Sequence, residues 1–228
     1  MTPQSACPFA CLDTGDLLLF AGRGVTSAVI RLFTGSRWSH IGMVVRLPGV
    51  VEPLVLESTG LSESADLHLG RPVAGVALVP LSRKLQDYPG EVAVRRWQGP
   101  PLRPAQRRLV ARLVTRLLHR PYKNFVLCNV RDLLSGFTRA PDRRGWFCSE
   151  LVAECYRRLG WLPRDARVSG FVPGDFDCPG LRLLGGGLSA PQLLKAKSSA
   201  ALSDGNAANP PRSVADETAL PRRSRGFA

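Results

Sequence analysis

The 228-residue chain is short of several things, and each shortage excludes something. It has no run of about 18 apolar residues, which argues against a transmembrane helix. Met1 to Ala10 carries no basic stretch followed by an apolar one, so no secretory signal is expected. Leu17–Ala21 is apolar, but it is short and follows Asp13 and Asp16. These readings point to an intracellular, cytoplasmic protein, with a peripheral membrane location left open. There the six cysteines are expected as reduced thiols rather than a disulfide framework. Acidic residues are also scarce, 18 against 31 Lys plus Arg, for a formal net charge of +13. That excess favours an anionic contact: a phospholipid surface, nucleic acid or an acidic substrate. Aromatics make up only 7% and few alternate with basic residues. No zinc-finger or RNA-recognition pattern is present, which argues against nucleic acid.

What is there suits a folded domain. Hydrophobic residues are 44% of the chain and charged residues 21%. Asp16–Ala21 reads as a buried strand, and Thr26-Ser27 as the cap of a short helix from Ala28 to Phe33 closed by Gly35. His40–Arg46 and Pro53–Ser58 read as a hairpin across Pro48-Gly49. Gly75–Leu81 and Glu91–Trp97 complete an antiparallel sheet of about five strands. The period then changes. Leu102, Ala105, Leu109, Val110, Leu113, Val114, Leu117 and Leu118 form one helical stripe, with Pro104 in the first turn and Pro121 as the stop. Arg103, Arg107, Arg108, Arg112 and Arg116 take the other face. A further helix is expected from about Ser149 to Leu159, with Gly160 at its end. Residues 1–188 are read as the folded domain and 189–228 as a disordered basic tail.

Few residues are equipped for chemistry. There are three histidines. His68 lies in a polar loop segment, and His119 complements the dipole at the end of the long helix. His40 starts a strand, at a sheet edge where sites are commonly built; its bland reading is a half-buried strand-end residue. Cys148 directly precedes an amphipathic helix. The helix dipole and free backbone N–H groups there favour a thiolate and can hold an oxyanion. The plain alternative is a small core residue, which is the reading for mid-helix Cys155. Cys128 and Cys178 have no comparable setting. Glu57 ends a strand that should pair with that of His40, where a carboxylate can orient an imidazole; otherwise it faces water. Glu150, in the first helical turn, is the weaker rival and suits the dipole. Cys7 and Cys11 form half a metal motif with no second pair, so neither a metal nor a cofactor is expected.

The order of segments is recognisable. Gly15-Asp16 opens an apolar strand, and Ser36-x-Trp38-Ser39-His40-Ile41-Gly42 and Leu56-Glu57-Ser58 follow. Then come Pro121-Tyr122, Phe147-Cys148-Ser149-Glu150-Leu151-Val152 and Val172-Pro173-Gly174-Asp175-Phe176. Over roughly residues 13 to 180 this resembles the circularly permuted papain-like hydrolases, the permuted NlpC-type branch that includes the YiiX-like proteins. The resemblance implies an α+β fold whose strand with the base precedes the helix with the nucleophile. It implies Cys148 as nucleophile at the helix N-terminus, His40 as general base and Glu57 as the residue orienting it. The role of Asp16 is left open.

The implied enzyme is a thiol hydrolase or acyltransferase acting on an amide, ester or thioester. Without an export signal, a lipid or acyl conjugate is favoured over a cell-wall peptide. An apolar rim around Trp38 and Trp146 would admit an acyl chain. Arg103, Arg107, Arg112 and Arg116 would sit on an anionic membrane, unless they are merely a solvated helix face. The alternatives are a peptidase or amidase, or a catalytically silent protein binding anionic lipid or nucleic acid.

Overall fold

The structure, a computed structural model, describes residues 9, 11–60, 62–123 and 145–196. Its centre is a six-stranded antiparallel sheet. The strands are β1 (Leu17–Ala21), β2 (His40–Val45), β3 (Leu54–Thr59), β4 (Gly75–Pro80), β5 (Glu91–Arg95) and β8 (Gln192–Lys195), in the order β4-β3-β2-β1-β5-β8. Two short strands, β6 (Trp97–Gln98) and β7 (Gly187–Leu188), pair separately. The fold is thus α+β, as expected.

Leu17, Leu18, Leu19 and Phe20 are all fully buried. Side chains alternate across a strand, so a continuous apolar run needs cover on both faces. One face, with Leu17, Leu19, Ile41, Met43 and Leu56, packs with buried residues of α3 (Pro104–Leu117) and α4 (Cys148–Leu159). The other, with Leu18, Phe20, Val44, Val55 and Val92, packs with α2 (Leu81–Asp87) and Leu12.

Helix α1 runs over Val25–Thr34, longer than expected. Thr26 and Ser27 lie inside it, and Gly24 takes the N-cap position. Gly35 ends it in the left-handed conformation, at φ 60, where glycine has no Cβ to clash. The Pro48-Gly49 turn joins β2 to β3, with Gly49 at φ 81.

Two expectations need correction. The sheet has six strands rather than about five, because Gln192–Lys195 forms an edge strand against β5. The boundary of the tail at 189 is therefore too early. Lys195 extends its ammonium across the edge and donates to the carbonyls of Leu85 (2.6 Å) and Tyr88 (2.5 Å) at the end of α2. The tail from residue 197 onward lies outside the described residues. Helix α2 has no counterpart in the sequence reading, which ended a strand at Leu81.

Candidate active site

His40 is the first residue of β2, at the end of the sheet where β1 finishes. The β2–β3 register sets Gly42 against Glu57. His40 therefore lies diagonally across from Glu57 on the same face. Between them stands a residue without a side chain. A Cβ at Gly42 would meet Val55 Cγ1 at 2.7 Å and Glu57 Cβ at 3.6 Å. The two side chains meet, with His40 Nε2 at 2.8 Å from Glu57 Oε2.

Cys148 is the first residue of α4 and is buried. The first helical bond runs from the Leu151 N–H to the Phe147 carbonyl. The N–H groups of Cys148, Ser149 and Glu150 thus belong to a first turn that lacks intrahelical acceptors. The N-terminus of α4 is held at the sheet end by side chains. Ser58 Oγ donates to the Trp146 carbonyl at 2.8 Å, and Ser149 Oγ to that of Phe171 at 2.6 Å. The Cys148 sulfur lies beside the His40 ring, close enough for its charge to raise the imidazolium. With Nε2 on Glu57, Nδ1 is the ring nitrogen left for it.

The structure thus brings together Cys148, His40 and Glu57, all three candidates from the sequence, although 108 positions separate Cys148 from His40. Burial alone would push the His40 imidazolium down. The Cys148 charge, with the hydrogen bond to Glu57 and the Glu57 charge, reverses this and raises it to about 9. Burial likewise opposes the Glu57 carboxylate, but the Lys84 and His40 charges outweigh it and hold Glu57 down at about 2.

Lys84 was not among the sequence candidates. Its side chain is 1% exposed, and Nζ donates to Glu57 Oε1 at 2.8 Å and Glu63 Oε2 at 3.2 Å. The ammonium also lies over the rings of Phe20 and Tyr88, at 5.4 and 5.5 Å. Ser62 Oγ approaches Glu57 Oε1 at 3.4 Å. One carboxylate thereby has its two oxygens fixed by different cations. A sequence signal existed. Leu81, Lys84 and Leu85 fall at i, i+3 and i+4, so a lysine occupies a position of the apolar stripe. His40 opens onto a cleft of about 430 Å³, lined also by Gly22, Ser27, Gly60, Tyr88 and Tyr122.

The other sequence candidates lie elsewhere. Glu150 is buried and accepts two hydrogen bonds from Lys123 Nζ, at 3.0 and 2.9 Å, and one from the Phe147 N–H at 3.4 Å. Burial raises its carboxyl above the usual range despite Lys123. Asp16 stands at the other end of β1. It accepts from the Asp13 and Trp97 N–H groups, at 3.0 and 2.9 Å. Gly15, at φ 103, lies so close to Trp161 that a Cβ would sit 2.4 Å from the ring. The Gly-Asp motif is therefore structural here. His119 lies beyond the end of α3 and pairs with buried Asp66 at 3.1 Å, while His68 is exposed. Cys155 is a core residue whose thiol is pushed up to about 12 by burial. Cys11 and Cys178 are exposed, and Cys7 and Cys128 lie outside the described residues.

One expectation fails at the rim. Trp38 is 1% exposed and donates from Nε1 to Asp177 at 2.6 Å, so it cannot line an acyl-chain entrance. Trp146 is half-buried.

Among solved structures the chain is similar to the crystal structure of the metalloprotein YiiX from Escherichia coli O157:H7, also described as DUF1105. The identity is 26% and the TM-score 0.46, over 65% of this chain and 66% of that one. The likeness thus spans a little under two thirds of YiiX. No family model and no curated protein matches the chain. Among the described residues, no three His, Cys, Asp or Glu side chains are grouped as a metal ion would require. No helix among those residues is long and apolar enough to cross a membrane.

Proposed function

We propose that the chain is a thiol acyl hydrolase or acyltransferase of the circularly permuted papain-like kind. Cys148 is the nucleophile, His40 the general base and Glu57 the residue that orients the base. One observation carries this reading. A single imidazole lies beside a cysteine at a helix N-terminus, whose charge raises it, and is hydrogen-bonded at 2.8 Å to a fully buried carboxylate.

His40 takes the Cys148 proton, and the sulfur attacks a carbonyl carbon of an amide, ester or thioester. The oxyanion forms near the first-turn N–H groups of α4, which favour negative charge there. As the tetrahedral species collapses, the carbon–leaving-group bond breaks and His40 hands its proton to the departing atom. Water, an amine or an alcohol then attacks the thioester, gives its proton to His40 and releases the thiolate. A lipid or other acyl conjugate is the favoured substrate. Exposed Arg103, at the N-cap of α3, and Arg107, Arg112 and Arg116 on the helix offer contact with an anionic membrane; Arg107 is partly engaged with Asp13 at 2.8 Å.

The test is to trap the acyl-enzyme. The chain is incubated with a series of p-nitrophenyl esters, acyl thioesters and acyl amides, and intact mass is read at early times. An acyl adduct on Cys148 that is absent in Cys148→Ala is the expected result. Turnover that survives Cys148→Ala overturns the assignment.

A further inference from the structure

The structure holds a second cleft, of about 420 Å³, between α3, α4 and the loop 164–169. Its lining includes Arg116, Arg120, Arg157, Arg158, Arg164 and Arg167 against only two carboxylates, Glu150 and Glu154. Both carboxylates are already committed. Glu150 is bound by Lys123, and Glu154 is shared by Arg157 (2.7 Å) and Arg158 (2.8 Å). Among the described residues, Arg116, Arg120 and Arg164 pair with no carboxylate. A guanidinium cannot relieve such crowding by losing its proton. Ser169 adds a hydroxyl to the lining, and Leu113, Leu117, Val168 and half-buried Trp146 give an apolar wall.

The geometry points to a binding site for a phosphate ester in this cleft. A carboxylate ligand would neutralise one guanidinium by a single fork contact. Three guanidiniums without carboxylates call for an anion with more charge and more acceptor oxygens, which a phosphate supplies. The apolar wall suits the carbon body of an ester. The volume is that of a small-ligand site. The cleft differs from the outward face of α3, because Arg103, Arg107, Arg108 and Arg112 do not line it. The proposal does not depend on Cys148 being reactive, although Trp146 and Glu150 place the cleft beside the first turn of α4.

Binding is measured in a Cys148→Ala background, so that turnover is silent. The probes are inorganic phosphate, glycerol 3-phosphate, and phosphatidylcholine vesicles with and without phosphatidic acid. Two double variants lose equal charge. Arg116→Gln/Arg164→Gln lies in the cleft, and Arg103→Gln/Arg112→Gln lies on the outward face. All four residues are exposed, and matched thermal melts check folding. The expected result is saturable binding of a phosphate ester, weakened at least about tenfold in the cleft variant, which loses two charged hydrogen-bond donors. The outward-face variant should bind the soluble probes as the parent does, and on vesicles it should lose less than the cleft variant. Binding of glycerol 3-phosphate identifies a soluble ester, and binding confined to phosphatidic acid vesicles identifies a lipid headgroup. Either supports the cleft if the variants separate in this way. No saturable binding of any probe, or equal weakening by both double variants, overturns it.

Discussion

Glu57 is the residue on which the site's electrostatics turn. It is fully buried, and such a carboxylate stays ionised only with close compensation. Lys84 supplies that compensation on one oxygen and His40 on the other. Replacing Lys84 by Met strands a buried charge, and a loss of about 3–5 kcal/mol in unfolding free energy is expected by denaturant titration. Glu57→Gln removes the charge that helps hold His40 near 9. NMR titration should show the imidazole moving down, and the acylation rate should fall by about a hundredfold or more. The pH dependence of stability follows from signs. Glu57 has its folded value lowered to about 2 from 4.5, so its contribution is present above 4.5 and is lost as pH falls toward 2. His40 is raised from 6.5 to about 9, so its contribution is full below 6.5 and fades as pH rises through 9. Thermal melts should therefore fall off at both ends, and His40→Ala should flatten the alkaline limb. His40, Glu57 and Cys148 stood out as candidates in the sequence because each carries a local mark: a strand start, a carboxylate closing an apolar run, a helix start. Lys84 did not, because a lysine in a short helix reads as solvated unless its place on the apolar stripe is given weight.

At the scale of elements, glycines set how closely the parts approach. Gly15→Ala would add a Cβ 2.4 Å from the Trp161 ring at a backbone angle that L residues rarely adopt. It should lower the melting temperature while leaving Cys148 reactivity in the folded protein unchanged, since it lies at the far end of β1 from His40. Gly42→Ala is expected to do both kinds of damage. Its Cβ would meet Val55 at 2.7 Å, and the strands it would push apart carry His40 and Glu57. A cost of about 1–3 kcal/mol and a lower acylation rate should appear together. The long elements were legible: α3 and α4 from their 3.6-residue stripes, the hairpin from its Pro-Gly turn. The short ones were not. Helix α2 has seven residues, and β8 (Gln-Leu-Leu-Lys) is a four-residue edge strand inside a polar stretch. Neither is long enough for periodicity to speak; tertiary contact decides them, such as the Lys195 ammonium on the end of α2. Lys195→Ala should lower thermal stability measurably, because three carbonyls lose their donor.

For the whole molecule, the order of the chain matters. His40 and Glu57 come from the first hairpin of the sheet and Cys148 from a helix more than ninety positions later, so the site exists only once the domain has closed. Arg95 helps that closure. Buried at the end of β5, it donates to the carbonyls of Phe176, Leu188 and Ser189, tying the later segments to the sheet. Such long-range ties are invisible to local pattern, which is why the edge strand beyond residue 189 was not expected. The central claim, that His40 activates Cys148, is tested most directly by iodoacetamide alkylation near pH 7 with peptide mapping, in the parent protein and in His40→Ala. Exposed Cys11 and Cys178 are the internal standards. The expected result is that Cys148 labels fastest although it is only 7% exposed, and that losing His40 slows it by about tenfold or more. Labelling of Cys148 no faster than that of Cys11 and Cys178, with no change in His40→Ala, would contradict it.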